Sequence, residues 1–259
     1  MSIKITTEQI KELRDATGIS VMQCKHALEE ALGDMKKAIA ILKKTSSDIA
    51  LKKINREVKD GRVSIKTEGE KAILVSLHCE TDFVAKNEDF ATLLEALTTK
   101  AIKEGVEKMR TEAKEMIDPI IQKTGENIQL GDIYEVVGNV LGIYVHNNKT
   151  GVIVSLEGGN PELARDIAMH ITAMKPEYMT ETEITDDTRK TMQEIFEKEV
   201  ANIDKPEEIK KKMLDGKITT FFKEKTLINQ TFIKDGEMTV GKLLEKNNAK
   251  IKEVKVYSI

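Results

Sequence analysis

The side chains best able to move protons, attack as nucleophiles or hold metals are few in this sequence: four histidines and two cysteines. His26, His78, His146 and His170 would be the candidate bases. None has a Ser or Cys nucleophile beside it in a recognised motif, and none shows a metal-ligand spacing such as HExxH. His170, within AMHIT, reads as a packed histidine, whereas His146 at a strand end is better suited to contact with a partner. Cys24 and Cys79 show no CxxC spacing and no Cys/His cluster, so reduced core thiols are expected rather than a disulfide or a metal site. The stretch Glu157-Gly158-Gly159-Asn160 is too short for a phosphate loop of the GxxxxGK[ST] kind. No covalent chemistry and no cofactor are expected. What stands out instead is Thr81-Asp82-Phe83-Val84, where an acidic, an aromatic and a β-branched residue follow one another at an expected surface position.

The elements around that tetrapeptide show why it is a loop. Segments 62–67 (RVSIKT) and 72–77 (AILVSL) are short β-branched runs joined by EGEK, which reads as a hairpin. A helix carrying Phe90, Leu93, Leu94, Leu97 and Ile102 follows, with Asn87 as its N-cap. Further on, 141–146 (LGIYVH), the loop NNKT and 151–156 (GVIVSL) form a second hairpin. It leads into a helix capped by Asn160 with Pro161 at its first position, bearing Leu163, Ile167, Ala168 and Ile171. The order of elements repeats, so we read an internal duplication of a β-β-α unit. Segments 128–137 (IQLGDIYEVV) and 251–258 (IKEVKVYS) each add a strand. Measured against the second copy, the first carries HCETDFVAK where the second has EGG. Function is commonly added to a scaffold in such loops. An exposed Phe83 would contribute about 1.5–3 kcal/mol if buried in a partner's pocket. Alternatively Phe83 folds back over the core and Asp82 caps a turn; periodicity does not separate the two.

The first fifty residues read as three short helices. Thr6 with Gln9 and Ser20 with Gln23 have capping-box spacing, Gly18 and Gly33 are stop signals, and Asp34 caps the third helix. A linking helix through Ile49, Leu51 and Ile54 is expected next. So small a unit buries little apolar area and suits a docking module. Residues 185–226 are highly charged with a sparse apolar stripe (Met192, Ile195, Phe196, Val200, then Ile209, Met213, Ile218, Phe222) and Pro206 at a natural turn. Two antiparallel helices projecting as a coiled-coil hairpin fit this pattern; two packed surface helices are the alternative. The expected fold is α+β, with an N-terminal three-helix module at 1–55. A duplicated core of two small antiparallel sheets with helices follows at 56–139 and 140–259, the latter including the helical hairpin.

Composition narrows the function class. A net charge of -3 and a pI near 6.0 argue against direct nucleic-acid binding, which needs a basic excess. The N-terminal MSIKITTEQI has no apolar run of the signal-peptide kind, and no stretch approaches the roughly 20 apolar residues of a membrane span. A reducing cytoplasm is the expected location. Apolar residues make up 40% of the chain but aromatics only 4%, with no Trp, so the core must rest on Ile, Leu, Val, Met and Ala.

Four stretches carry a family resemblance: ELRDATGISVMQCKHALEEALGD, CETDFVAKNEDF, GVIVSLEGGNPELARDIAMHITAMKP and LINQTFIKDGEMTVGKLLEKNN. They resemble the signature stretches of the bacterial elongation factor Ts family, in that family's order and over essentially the whole chain. The resemblance implies a guanine-nucleotide exchange factor for elongation factor Tu, without enzymatic chemistry, whose N-terminal module is similar to ubiquitin-associated domains. It implies that Arg14, Val21, Met22 and Lys25 dock on the partner. It also implies that Thr81, Asp82, Phe83 and Val84 dislodge the partner's magnesium ion, with Ile128 and His146 as further contacts. Val21-Met22 departs from the two consecutive Met common in the family, a tolerable apolar swap. The sequence ends at Ile259, just after the last expected strand, so the contact made by a further C-terminal module in some members is not expected here. A homodimer is compatible with this reading. The rival reading is a non-enzymatic adaptor that binds a protein partner through its N-terminal helices alone.

Overall fold

The computed structural model describes residues 5–259. Helix α1 (Thr7–Thr17) begins at a reciprocal capping box between Thr6 and Gln9 and stops at Gly18, whose φ of 69° suits a residue without a side chain. Helix α2 (Val21–Glu30) starts where the Ser20 hydroxyl accepts the Gln23 N–H, and α3 (Met35–Lys53) where Asp34 accepts that of Lys37. Leu13, Cys24, Leu28, Ala38 and Leu42 pack between the three helices. The separate linking helix expected near Ile49 does not form, because α3 runs unbroken to Lys53. Polar residues in its middle are satisfied within the helix. Thr45 and Ser46 donate their hydroxyls back to the Ile41 and Leu42 carbonyls, one turn earlier.

Strands β1 (Asp60–Glu68) and β2 (Lys71–Cys79) pair antiparallel from Asp60↔Cys79 to Glu68↔Lys71. A one-turn helix α4 (Asp82–Ala85) separates them from α5 (Glu88–Glu104), and α6 (Val106–Thr124) then leads to β3 (Ile128–Val137) on the other edge of β2. Ile73, Val75 and Leu77 of β2 bury against Phe90, Leu94 and Leu97 of α5 and Met109 and Ile121 of α6. Helix α6 had no counterpart among the sequence expectations. Its stripe of Met109, Ala113, Ile117 and Ile121 is buried at helical spacing, and that burial carries the helix through Pro119.

The second hairpin pairs β4 (Val140–His146) with β5 (Thr150–Glu157) through Asn147 and Asn148, both left-handed at φ 49° and 58°, as a two-residue turn requires. Helix α7 (Pro161–Met174) follows. Helices α8 (Asp186–Ala201) and α9 (Glu207–Lys225) pack on each other on either side of the Pro206 turn, with the Phe196 and Phe221 rings edge to face at 5.6 Å. The short strands β6 (Thr231–Phe232) and β7 (Asp235–Thr239), helix α10 (Val240–Lys246) and strand β8 (Lys250–Ser258) complete the chain. The two three-stranded sheets have matching orders, β1-β2-β3 and β4-β5-β8, each with the second hairpin strand in the centre. Val152, Val154, Ile167, Ile171, Leu227 and Val240 form the second core. The chain forms two compact units. One runs to Val136 and includes Val145–Gly151 and Val256–Ile259; the other comprises Val137–Tyr144 and Val152–Lys255.

Candidate partner-binding site

Strand β2 ends at Cys79, and the chain turns at Thr81 in an extended conformation (φ -130°, ψ 158°) that starts α4. The Thr81 hydroxyl accepts the Val84 N–H at 3.4 Å. A single helical turn sends neighbouring side chains in different directions. Val84 (8% exposed) and Ala85 enter the first core, while Phe83 is 82% exposed. Of the two readings of Phe83, folding back over the core is thus excluded. Asp82 accepts from the Lys86 ammonium at 2.7 Å, which raises the Lys86 pKa. Asn87 donates its N–H to the Val84 carbonyl at 3.0 Å and its side chain caps α5 by accepting the Asp89 N–H at 2.8 Å.

Residues far away in sequence hold this turn. The Glu126 carboxylate accepts both the Thr81 N–H (3.0 Å) and the Thr81 hydroxyl (2.6 Å). Reciprocally, Glu80 accepts the Asn127 N–H at 2.6 Å, and Arg56 at 3.4 Å. The buried Asn127 amide donates to the Arg56 carbonyl at 2.7 Å. Sequence reasoning missed Glu80, Glu126 and Asn127, and no local spacing signals them, since the contacts span more than forty residues. Beneath the turn, Cys79 donates its thiol to the Thr81 carbonyl at 3.2 Å. Burial first, then the Asp60 and Glu126 charges, push its pKa up to about 12, so it is an inert thiol at neutral pH.

The other expected contact residues fall in different settings. Val21 (47% exposed) and Met22 (59%) form an apolar pair on the first turn of α2. Lys25 lies one turn on, 3.7 Å from Glu29, and Arg14 is exposed in the last turn of α1. His146 is exposed at the end of β4, its Nε2 3.2 Å from the Asn147 amide. Ile128 differs: at 3% exposed it belongs to the first core, because β3 opens beneath α5 and α6 and its first side chain points inward. His170 is fully buried, its Nδ1 accepting the Ile233 N–H at 3.3 Å and its Nε2 set 2.9 Å from the Gln230 side-chain Oε1. Both ring nitrogens are engaged, and burial lowers its pKa. Both cysteines are buried and free. Among the described residues no group of three His, Cys, Asp or Glu is placed to hold a metal ion, and no helix is long and apolar enough to cross a membrane.

By its match to a family model and to curated relatives, this repeated β-β-α scaffold with its clamped turn falls in the class of translation elongation factors. Residues 80–259, which begin at this turn, match the family model described as Elongation factor TS. The Elongation factor Ts of Hahella chejuensis (strain KCTC 2396) is 38% identical, with 98% of this chain and 92% of the relative covered. That of Thioalkalivibrio sulfidiphilus (strain HL-EbGR7) is 37% identical, with the same 98% and 92% coverage. That of Pseudomonas fluorescens (strain Pf0-1) is 36% identical, covering 95% of this chain and 88% of the relative. The chain belongs to the elongation factor Ts family.

Proposed function

We propose that this protein binds elongation factor Tu carrying GDP and promotes GDP release and GTP exchange by disturbing the magnesium and phosphate site, without covalent chemistry of its own. The observation that carries the reading is Phe83, held 82% exposed on a turn whose neighbours are buried or hydrogen-bonded. An apolar ring kept in water by a rigid frame is an anchor in waiting, and binding energy concentrates on such residues. Asp82 beside it supplies a carboxylate that shifts polar groups around the ion. Magnesium neutralises the nucleotide phosphates, so disturbing it weakens nucleotide binding, and by linkage the nucleotide weakens binding of the exchange factor to the same degree.

In this reading the apolar pair Val21-Met22, flanked by Arg14 and Lys25, docks the N-terminal helices on the partner as a module of the ubiquitin-associated kind. His146 adds a contact from its hairpin tip, and Ile128 contributes from the core by supporting the sheet. The α8–α9 pair acts as a projecting coiled coil. A cytoplasmic location goes with this function. The decisive measurement is stopped-flow release of a fluorescent GDP from elongation factor Tu. The double variant Asp82→Ala with Phe83→Ala should lose nearly all stimulation, and full stimulation by that variant sinks the assignment.

A further inference from the structure

We propose that Glu126 is a positioning residue for nucleotide release: it keeps α4 formed, with Phe83 in water, before the partner arrives. This rests on the reading of Phe83 as the anchor. A four-residue helix does not hold itself together, because one turn fixes several dihedral angles for a single internal hydrogen bond. Something outside it must supply the order.

The hydroxyl of Thr81 has one proton and is used twice. It donates to Glu126 Oε1 at 2.6 Å and accepts the Val84 N–H at 3.4 Å. With its proton drawn to the carboxylate, the oxygen must turn a lone pair toward the helix start. The chain from Val84 N–H through Thr81 to Glu126 is therefore polarised in one direction, and its last member is charge-assisted. A second bond from the Thr81 N–H to Glu126 Oε2 at 3.0 Å stops rotation about the first. The crossed contact of Glu80 with the Asn127 N–H at 2.6 Å locks the two strands of chain in register. Gly125, left-handed at φ 77°, ends α6 by donating to the Ile121 carbonyl and so aims Glu126 at the turn. Without this clasp, Phe83 would be free to cover nearby apolar surface, and ordering it would oppose binding.

Glu126 is only partly buried. Two measurements on the full chain test its role: amide exchange at Val84, and GDP release from elongation factor Tu at saturating protein. Glu126→Ala should raise Val84 exchange and lower the maximal release rate, each about tenfold, as loss of a charge-assisted hydrogen bond implies. Glu126→Gln, which keeps one acceptor oxygen, should recover part of both. Because Glu126 acts largely through Thr81, the pair Thr81→Val with Glu126→Ala should be slowed by less than the product of the two single effects. Unchanged Val84 exchange, or a doubly slowed pair, overturns the proposal. Phe83→Ala separates the two readings. If it releases GDP at full rate the anchor assignment fails, while Val84 exchange still judges the clasp.

Discussion

The two copies of the β-β-α unit differ most in the link from hairpin to helix. In the second copy β5 passes to α7 through Gly158 and Gly159, both left-handed at φ 76° and 72°, and Asn160 caps the helix by accepting the Leu163 N–H at 2.9 Å. A Cβ on Gly158 would lie 2.1 Å from the Asn248 carbonyl oxygen, so the link is as small as the space allows. In the first copy the chain makes the same journey through a helical turn of its own, clamped by Glu126 and Asn127. One link serves the fold, and the other shows a side chain to solvent at the same place in the scaffold. A repeated unit can thus keep one copy's link minimal while the other carries a longer turn that shows a side chain to solvent.

This contrast can be tested where it is steepest. Gly158→Ala must adopt a left-handed backbone and meet a carbonyl oxygen. It should lower unfolding free energy by at least about 2 kcal/mol in denaturant titration while leaving GDP release from elongation factor Tu unchanged. A slowed release without destabilisation would mean that the second link takes part in release. In the first copy Val84 sits beside Phe83 but faces the core. Val84→Ala should therefore cost about 1.5 kcal/mol of stability from two lost methyl groups, a loss that Phe83→Ala should not share. Equal destabilisation by both would erase the distinction between inward and outward residues on α4.

The smallest expected effect compares one histidine from each copy. Burial, the largest influence on each, holds His78 of β2 and His170 of α7 below the ordinary value of 6.5. The unfolded chain then takes up protons first as the pH falls. Their stabilisation is complete above 6.5 and declines as pH drops through that value toward the lower folded-state values. Denaturant midpoints at roughly pH 7.5 and 5.5 should show a decrease that His170→Gln diminishes. An equal decrease in that variant would assign the dependence to other groups.

Much of the scaffold was legible because its signals are local. Strand 128–137 has the bounds read from sequence, the other expected strands are longer by one or two residues at one or both ends, the short β6 and β7 were not expected, and Asn87 and Asn160 cap the helices expected of them. Residues 185–226 were read as two helices around Pro206, and α8 and α9 stand there. Helix α6 was missed although its stripe of Met109, Ala113, Ile117 and Ile121 has helical spacing; dense charge and Pro119 weaken that local signal, and its burial is decided by tertiary packing. Helix α3 departs in the opposite sense: the third helix and the linking helix expected after it are one element, Met35–Lys53.

The sequence by itself determined where the chain turns, where helices begin, and that the segment around Thr81–Val84 exceeds its counterpart in the second copy. These depend on residues within about four positions of each other, through caps, left-handed glycines and alternation. Only the tertiary structure decided that Phe83 faces water, that Ile128 faces the core, and that Glu126 grips Thr81. Each of those outcomes is set by a partner brought close by folding, and no local pattern encodes it.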